Sequence, residues 1–303
     1  MLASISVIIC AHNSRLDYFE RVLNALKSQS LNQERWELLV VDNASDRPLK
    51  TEIDLSWHSY ARIIHEEKLG LTPARLCGIQ ESNGEIIVFV DDDNVLDTDY
   101  LNNVLKISSH WPFLGAWGGQ VIPEFETSPP DWTKPYWRYL AIREFSENKW
   151  SNLPHQYETT PCGAGLCIRR SVADKYLELS KTNPKRVRLG RTGKSLTSCE
   201  DIDIAFTACT IGLGTGKFTS LKVTHLIPKQ RLQEDYLLRL VKGVFYSSTI
   251  LGALWGRFPP YVSRSQKILQ YYSRWRMDAR SRRFYDASQA GKRMAIEEIS
   301  TWS

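Results

Sequence analysis

Four short apolar runs, separated by helix-like stretches and mostly ending in polar clusters, constrain the fold of this chain more than any other feature. Residues 4–10 (SISVIIC), 36–41 (WELLVV), 61–65 (ARIIH) and 85–90 (EIIVFV) are rich in β-branched and aliphatic side chains. That composition fits buried strands whose two faces are both covered. Between the first two lies a stretch, residues 16–29, with Leu16, Phe19, Val22, Leu23 and Leu26 at helical spacing. A second helix is expected over residues 72–82, after a turn at Gly70 and before the Asn83-Gly84 turn signal. Strands alternating with helices predict an α/β fold around a parallel sheet.

The polar ends of these runs are the first functional clue. Ala11-His12-Asn13 follows the first run, Asp42-Asn43 the second and Asp91-Asp92-Asp93 the fourth. In open α/β sheets ligands bind outside the carboxyl ends of the strands, so the three clusters are expected to face one crevice. Three adjacent carboxylates repel one another unless a cation or good hydrogen bonds compensate them. A hard divalent cation such as Mg or Mn, held by one or two carboxylates and by substrate phosphates, supplies that compensation. The alternative is an aspartate-rich turn that caps a following helix.

A second acidic pair, Glu200-Asp201, precedes a helical run (Ile202, Ile204, Ala205, Phe206). It is suited either to first-turn charge at a helix dipole or to general-base work on an alcohol. His225 ends a strand-like stretch (LKVTHLIP) and is a candidate metal ligand through a neutral ring nitrogen. Arg231, six residues later, is a candidate phosphate contact. Residues 181–198, basic and rich in Gly, Ser and Thr, predict a mobile loop. The aromatic run containing Trp132, Tyr136, Trp137 and Tyr139 offers flat faces for sugar rings, with a core or lid role as the alternative.

Several classes are disfavoured. There is no G-x-x-x-x-G-K-[ST] loop and no glycine-rich turn after Cys10, which argues against phosphate-loop nucleotidases and dinucleotide-dependent oxidoreductases. The six cysteines form no C-x-x-C pair and no zinc-like spacing with histidine, so reduced, mostly buried thiols are expected. The start has no basic segment ahead of its apolar run, so a cleaved signal peptide is not expected and a cytoplasmic location is. The best candidate for a membrane span, residues 243–256, is 14 uncharged residues long, short of the length a spanning helix needs.

At 303 residues and 42% hydrophobic, the chain can bury a large core. Its net charge of +5 is concentrated: residues 229–293 hold 14 Lys or Arg against 4 Asp or Glu, an excess of +10, interleaved with aromatic side chains. Such a segment suits a membrane surface, a lipid-linked substrate or nucleic acid, unless it is simply a solvated helical tail.

Taken together and in order, the motifs resemble family 2 glycosyltransferases, inverting enzymes of the GT-A fold, over residues 4–232. ISVIICAHN resembles the family's first strand and nucleotide-contacting loop, with His12-Asn13 where Tyr-Asn is also common. VVDNAS resembles the strand whose aspartate hydrogen-bonds the base, here Asp42 followed by Asn43. LGLTPARLCGI is similar to the segment whose arginine, here Arg75, approaches the nucleotide, and VFVDDDN is similar to the D-x-D motif. The resemblance therefore implies a nucleotide-sugar site of Ala11, His12, Asn13, Arg15, Asp42, Asn43, Arg75, Asp91, Asp92 and Arg231. It implies metal ligation by Asp93, Asp91 and His225, the last from the similarity of THLIPKQRL to a His-x-x-Pro-x-x-Arg-Leu stretch. PCGAGLCIRR resembles the acceptor-side loop, placing Gly163, Ala164 and Gly165 there with Trp132 and Trp137. SCEDIDIAF resembles the Glu-Asp motif, making Asp201 the catalytic base beside Glu200, with Cys199 a departure from the pattern.

The implied architecture is a single mixed, mostly parallel sheet flanked by helices. Residues 1–110 would bind the nucleotide sugar, 111–228 the acceptor, and 229–303 would form a basic, aromatic helical extension. The implied partners are a nucleotide-sugar donor, a UDP-sugar by family habit, a divalent metal, and a glycan or lipid-linked acceptor. Peripheral contact of the extension with an anionic membrane is expected, and nucleic acid is not. Rival readings are a catalytically inactive nucleotide-sugar or membrane-binding protein and a metal-dependent nucleotidyltransferase.

Overall fold

The computed structural model describes residues 4–260 and 263–302. Four of its strands are the runs expected from sequence: β1 (Ile5–Ala11), β2 (Trp36–Asn43), β3 (Ala61–Glu66) and β4 (Ile86–Asp91). The crossovers are α1 (Leu16–Lys27) after β1 and α2 (Leu71–Glu81) after β3. β2 and β4 flank β1 in parallel, with Ile5 opposite both Trp36 and Ile86, and β3 extends the sheet beyond β2. Each strand presents alternate residues to opposite faces. Val7, Ile9, Leu38 and Val88 join α1 in one apolar cluster, while Ile8, Leu39, Ile87 and Phe89 join α2 in another. Burial on both faces explains why β1, β2 and β4 are continuously apolar, whereas the edge strand β3 is only partly buried.

The acidic triplet does not cap a helix. It turns directly into β5 (Asn94–Leu96), and the next helix, α3 (Tyr100–His110), begins only at Tyr100. There follow β6 (Leu114–Phe125), β7 (Lys149–Ser151), β8 (Cys167–Arg169), α4 (Arg170–Thr182), α5 (Glu200–Thr210) and β9 (Gly214–Ile227). All nine described strands form one sheet in the order β3-β2-β1-β4-β8-β6-β9-β5, with β7 also on β9. β8 runs antiparallel to β4 and β6, and β5 and β7 run antiparallel to β9, so the sheet is mixed beyond its parallel first half.

Residues 181–198, expected as a mobile loop, are anchored at buried points, although residues 192–195 are exposed. A 3-10 turn (Pro184–Leu189) buries Leu189, and buried Arg186 pairs with Asp203 of α5. Trp255 Nε1 donates to the same carboxylate at 2.7 Å. A buried ion pair of this kind holds the segment that leads into α5 whatever its composition.

The C-terminal helices are α6 (Glu234–Leu254), α7 (Arg264–Trp275) and α8 (Ala279–Ile299). α6 corrects the expectation that no stretch reaches membrane-spanning length: it is 21 residues long and apolar enough for a span by length and composition. It nevertheless buries Leu237, Leu240, Val241, Ile250 and Leu251 in apolar clusters shared with Ile227, Phe206 and α8. A Cβ on Gly291 of α8 would stand 2.2 Å from the Lys242 carbonyl, so only glycine permits the two helices to approach so closely.

Candidate active site

A cavity of about 490 Å³ opens at the carboxyl ends of β1 and β4. Ala11, His12, Asn13, Arg15 and Asn43 line one side, and Asp91, Asp92, Asp93, His225 and Arg231 the floor. Arg75, Gly163, Ala164, Glu200 and Asp201 line the opposite side. The three polar clusters expected to converge therefore do so.

On the β1–β2 side, His12 Nδ1 lies 2.8 Å from the Asn43 carbonyl. The Asn43 amide donates to the carbonyls of Glu66 and Lys68, and its Oδ1 accepts from Gly70 N–H at 2.7 Å. Asn43 thus fixes the turn that starts α2, and α2 in turn carries Arg75 to the cavity. Asp42 lies behind the wall rather than in it. Its carboxylate accepts from the backbone N–H groups of Ser45 (3.3 Å) and Leu49 (2.9 Å) and is 3% exposed. In this structure it closes the 42–49 turn.

The floor is set by strand pairing. β5 lies antiparallel on β9 with Asn94 opposite His225, and Leu226 N–H donates to the Asp93 carbonyl at 2.9 Å. This register brings His225 Nε2 to 3.5 Å and Arg231 Nη2 to 2.8 Å from Asp93 Oδ2. Burial tends to raise the Asp93 pKa, but Arg231 and then His225 outweigh it and hold Asp93 below the ordinary carboxylate range. Asp92 goes the other way: burial, and then the charge on Asp93, push it up to about 7. Neighbouring carboxylates whose pKa values separate in this way are a mark of a functional site.

The opposite side depends on Arg75, which is 2% exposed. Its Nη1 lies 3.0 Å from Glu200 Oε1 and its Nη2 3.3 Å from Asp91 Oδ1, so one guanidinium joins the two acidic motifs. Burial works against the charge on Arg75, but Glu200 and Asp91 overcome it and keep the group cationic. Glu200 itself is pushed up to about 7, by burial first and with the charge on Asp201 adding to it, against the pull of Arg75. Asp201 sits at the start of α5, where its Oδ2 accepts Gly163 N–H at 2.7 Å and its Oδ1 accepts Ile202 N–H at 2.8 Å. A Cβ at Gly163 would stand 2.9 Å from Arg75 Nη2, so glycine is what allows the loop to meet both Arg75 and Asp201.

Three residues expected on the acceptor side do not line this cavity. Gly165, at φ +73°, is behind the wall, where its carbonyl accepts from Tyr100 Oη at 2.6 Å. Trp132 packs toward Phe284 and is covered by the Arg280 guanidinium at 4.5 Å. Trp137 packs on Phe125 and donates to Thr133 Oγ1 at 3.0 Å. Both tryptophans lie in a 3-10 stretch (Asp131–Leu140) whose apolar side serves the core under α6. The aromatic of this run that reaches the cavity is Tyr139.

Sequence reasoning also missed Arg191 and Tyr236 in the lining. Arg191 lies in the basic segment before α5 and makes no ion pair among the described residues, although its charge bears on both Asp93 and Glu200. In the sequence it stands among five other Lys or Arg residues and no acid over 181–198, so nothing local singles it out.

The donor set suits a hard divalent cation. Asp91, Asp93 and His225 line the same floor, and Asn94 Oδ1 is buried there without a hydrogen-bond partner among the described residues. Arg231 Nη1 lies 3.0 Å from His225 Nε2, and His225 Nδ1 is buried with no hydrogen-bond partner among the described residues. Among the described residues no three acidic, histidine or cysteine side chains converge on one point. The arrangement fits an ion that keeps only one or two protein ligands and takes the rest from substrate.

The model of the family described as "Glycosyl transferase family 2" matches residues 6–177, more than half of the chain. The chain belongs to glycosyl transferase family 2. Among curated relatives, Glycosyltransferase AglE of Haloferax volcanii is 33% identical over 95 residues, 30% of this chain and 31% of that protein. Putative glycosyltransferase EpsH of Bacillus subtilis is 27% identical over 105 residues, 34% of this chain and 30% of that protein. The aligned part of this chain thus spans about a third of the length of each relative.

Solved structures show the fold over nearly the whole chain. The mannosyltransferase PcManGT from Pyrobaculum calidifontis, in complex with GDP-Man and Mn2+, superposes with a TM-score of 0.57 at 16% identity, covering 100% of this chain and 76% of that one. S. aureus TarS 1–349 in complex with UDP-GlcNAc gives 0.55 at 14% identity, covering 98% and 83%. The family 2 chain therefore has the GT-A fold, with added C-terminal helices.

Proposed function

We propose that the chain transfers a sugar from a nucleotide-diphosphate sugar, in the first instance a UDP-sugar, to a hydroxyl of a glycan or lipid-linked acceptor with inversion at the anomeric carbon. The observation that carries this reading is Asp201, a carboxylate oriented by the Gly163 N–H in the cavity that the acidic triplet also lines.

In the proposed step Asp201 takes the proton of the acceptor hydroxyl as that oxygen bonds to the anomeric carbon. The bond from that carbon to the diphosphate oxygen breaks, and the electron pair leaves with the nucleoside diphosphate. Glu200 holds Arg75 at the junction of the two acidic motifs, where its charge opposes the charge growing on the leaving group. Arg191, without an ion pair among the described residues, supplies a second cation for the diphosphate. One or two of Asp93, Asp91 and His225 would hold a divalent ion, Mn or Mg, and such an ion supplies Lewis-acid stabilisation of the leaving diphosphate when bound.

The test is a thermal-shift panel of UDP, GDP, TDP and CMP, each with Mn, with Mg and with chelator, since a ligand that binds the native state raises its melting point. The reading expects one diphosphate, UDP first, to raise the melting point in a metal-dependent way. It also expects release of free nucleotide when the matching sugar nucleotide meets an acceptor. Binding without release in any acceptor mixture would favour an inactive sugar-nucleotide-binding protein, and release of pyrophosphate from a nucleoside triphosphate and a sugar phosphate would favour a nucleotidyltransferase.

A further inference from the structure

An isolated helix of twelve residues is marginal in water, and most helices owe their stability to an apolar face buried against the rest of the protein. α7 lacks such burial. Of its described side chains all are exposed except Arg274, which is bound to Asp286 of α8 at 2.6 and 2.7 Å. Its first turn is closed by a capping box between Ser263 and Gln266. Ile268, Tyr271, Tyr272 and Trp275 follow at i, i+3, i+4 and i+7, the spacing of a single helix face. They are 69, 72, 55 and 66% exposed. The rings of Tyr272 and Trp275 lie 6.2 Å apart, and the Arg276 guanidinium sits 5.9 Å from the Tyr272 ring. An apolar stripe of this size in water points to an absent partner.

Charge identifies the partner. Residues 264–277 contain Arg264, Lys267, Arg274 and Arg276 and no Asp or Glu. The nearest acids are already engaged: Asp286 by Arg274, and Asp278 by the backbone N–H groups of Arg280 and Ser281 at the start of α8. Two copies meeting through this face would bring like charges together. An anionic lipid surface accepts both features, with the aliphatic and aromatic side chains at the acyl boundary and the arginines among the phosphates. Trp and Tyr favour that depth. At 1.5 Å per residue the helix is about 18 Å long, too short to cross a bilayer and suited to lying in its surface.

We propose that α7 docks the protein on anionic membrane, lying in the plane of the bilayer with Ile268, Tyr271, Tyr272 and Trp275 toward the acyl region. The proposal stands on this surface alone and does not require the sugar-transfer reading.

The experiment is co-sedimentation of the full chain with vesicles of phosphatidylglycerol mixed into phosphatidylcholine, and with phosphatidylcholine alone, at low and high salt. Binding is expected to the anionic vesicles and to weaken as salt screens it. Replacing all four stripe residues with serine is expected to lower the partition coefficient by at least about tenfold. Arg264→Gln with Arg276→Gln is expected to lower it by about fivefold per charge at low salt. Circular dichroism and the melting response to nucleotide, read on the same samples, report folding and the sugar-nucleotide site separately from membrane binding. Equal binding to neutral vesicles, no binding to either kind, or a stripe variant that binds like the parent overturns the proposal. So does a parent dimer in ultracentrifugation that the stripe variant dissolves, because the face then belongs to a second copy.

Discussion

Asp91–Asp93 and Glu200–Asp201 are short acidic runs that line the same cavity, yet they are positioned by different kinds of structure. The first run ends a central strand and is placed by parallel pairing of β4 with β1, where Cys10 lies opposite Asp91. The second opens a helix after a packed irregular segment, at a Cys199 that holds a φ of +118°, unusual for a side chain with a Cβ. It is placed by tertiary contacts: Gly163 N–H on Asp201, Arg75 on Glu200 and Arg186 on Asp203. A strand end can be located from local pattern. A loop-positioned carboxylate depends on partners distant in the chain.

The largest effect expected from separating the two walls is on transfer. Asp201→Asn removes the proton acceptor and leaves the β1–β4 side untouched. Sugar transfer is expected to fall by about 10² to 10⁴-fold, while the melting-point response to nucleotide stays within error. A loss of both would show that the walls do not act separately.

Next comes the link between them. Arg75→Met strands buried Glu200 beside half-exposed Asp91 and is expected to cost about 3–5 kcal/mol in urea unfolding, the usual penalty for removing one partner of a buried ion pair. Stability within about 1 kcal/mol of the parent would mean that Arg75 does not hold the walls together. Arg191 sharpens the comparison from the other direction, because it lines the cavity without a carboxylate partner among the described residues. Arg191→Gln is expected to raise the donor KM about tenfold, the loss of one charge-assisted contact, with unfolding free energy unchanged.

The smallest effect concerns pH. Burial pushes Glu200 up to about 7 from an ordinary 4.5, so the folded state holds this proton more tightly than the unfolded state. The resulting stability is complete below about pH 4.5 and is lost as pH rises through about 7. Glu200→Gln removes that term. The difference between parent and variant in melting experiments is expected to slope by up to about 1.4 kcal/mol per pH unit across this window and to be flat above it. A flat difference throughout would mean that Glu200 is ionised at every pH tested.

The same contrast explains what could be read in the sequence. β1, β2, β3 and β4 and the helices between them follow from continuous apolar runs and helical spacing, with ends shifted by a residue or two. β6 was not legible, because LGAWGGQVIPEF has three glycines and a proline, and its strand form comes from ten paired positions along β9. The 181–198 segment looked mobile because its anchors, Arg186 and Leu189, are matched to Asp203 and to the cluster around Phe206 and Ile250. The acidic motifs, His225 and Arg231 could be named from residue type and order. Gly165, Trp132 and Trp137 do not line the cavity, and nothing local in the sequence distinguishes a wall residue from one directly behind it.

Arg75 also bears on how such a chain can change over generations. Its guanidinium answers Asp91 and Glu200 at once, from a position 2% exposed. Loss of Arg75 leaves both carboxylates without their cation, whereas loss of either carboxylate leaves Arg75 paired with the other. Arg75 is therefore expected to be the least exchangeable of the three over generations.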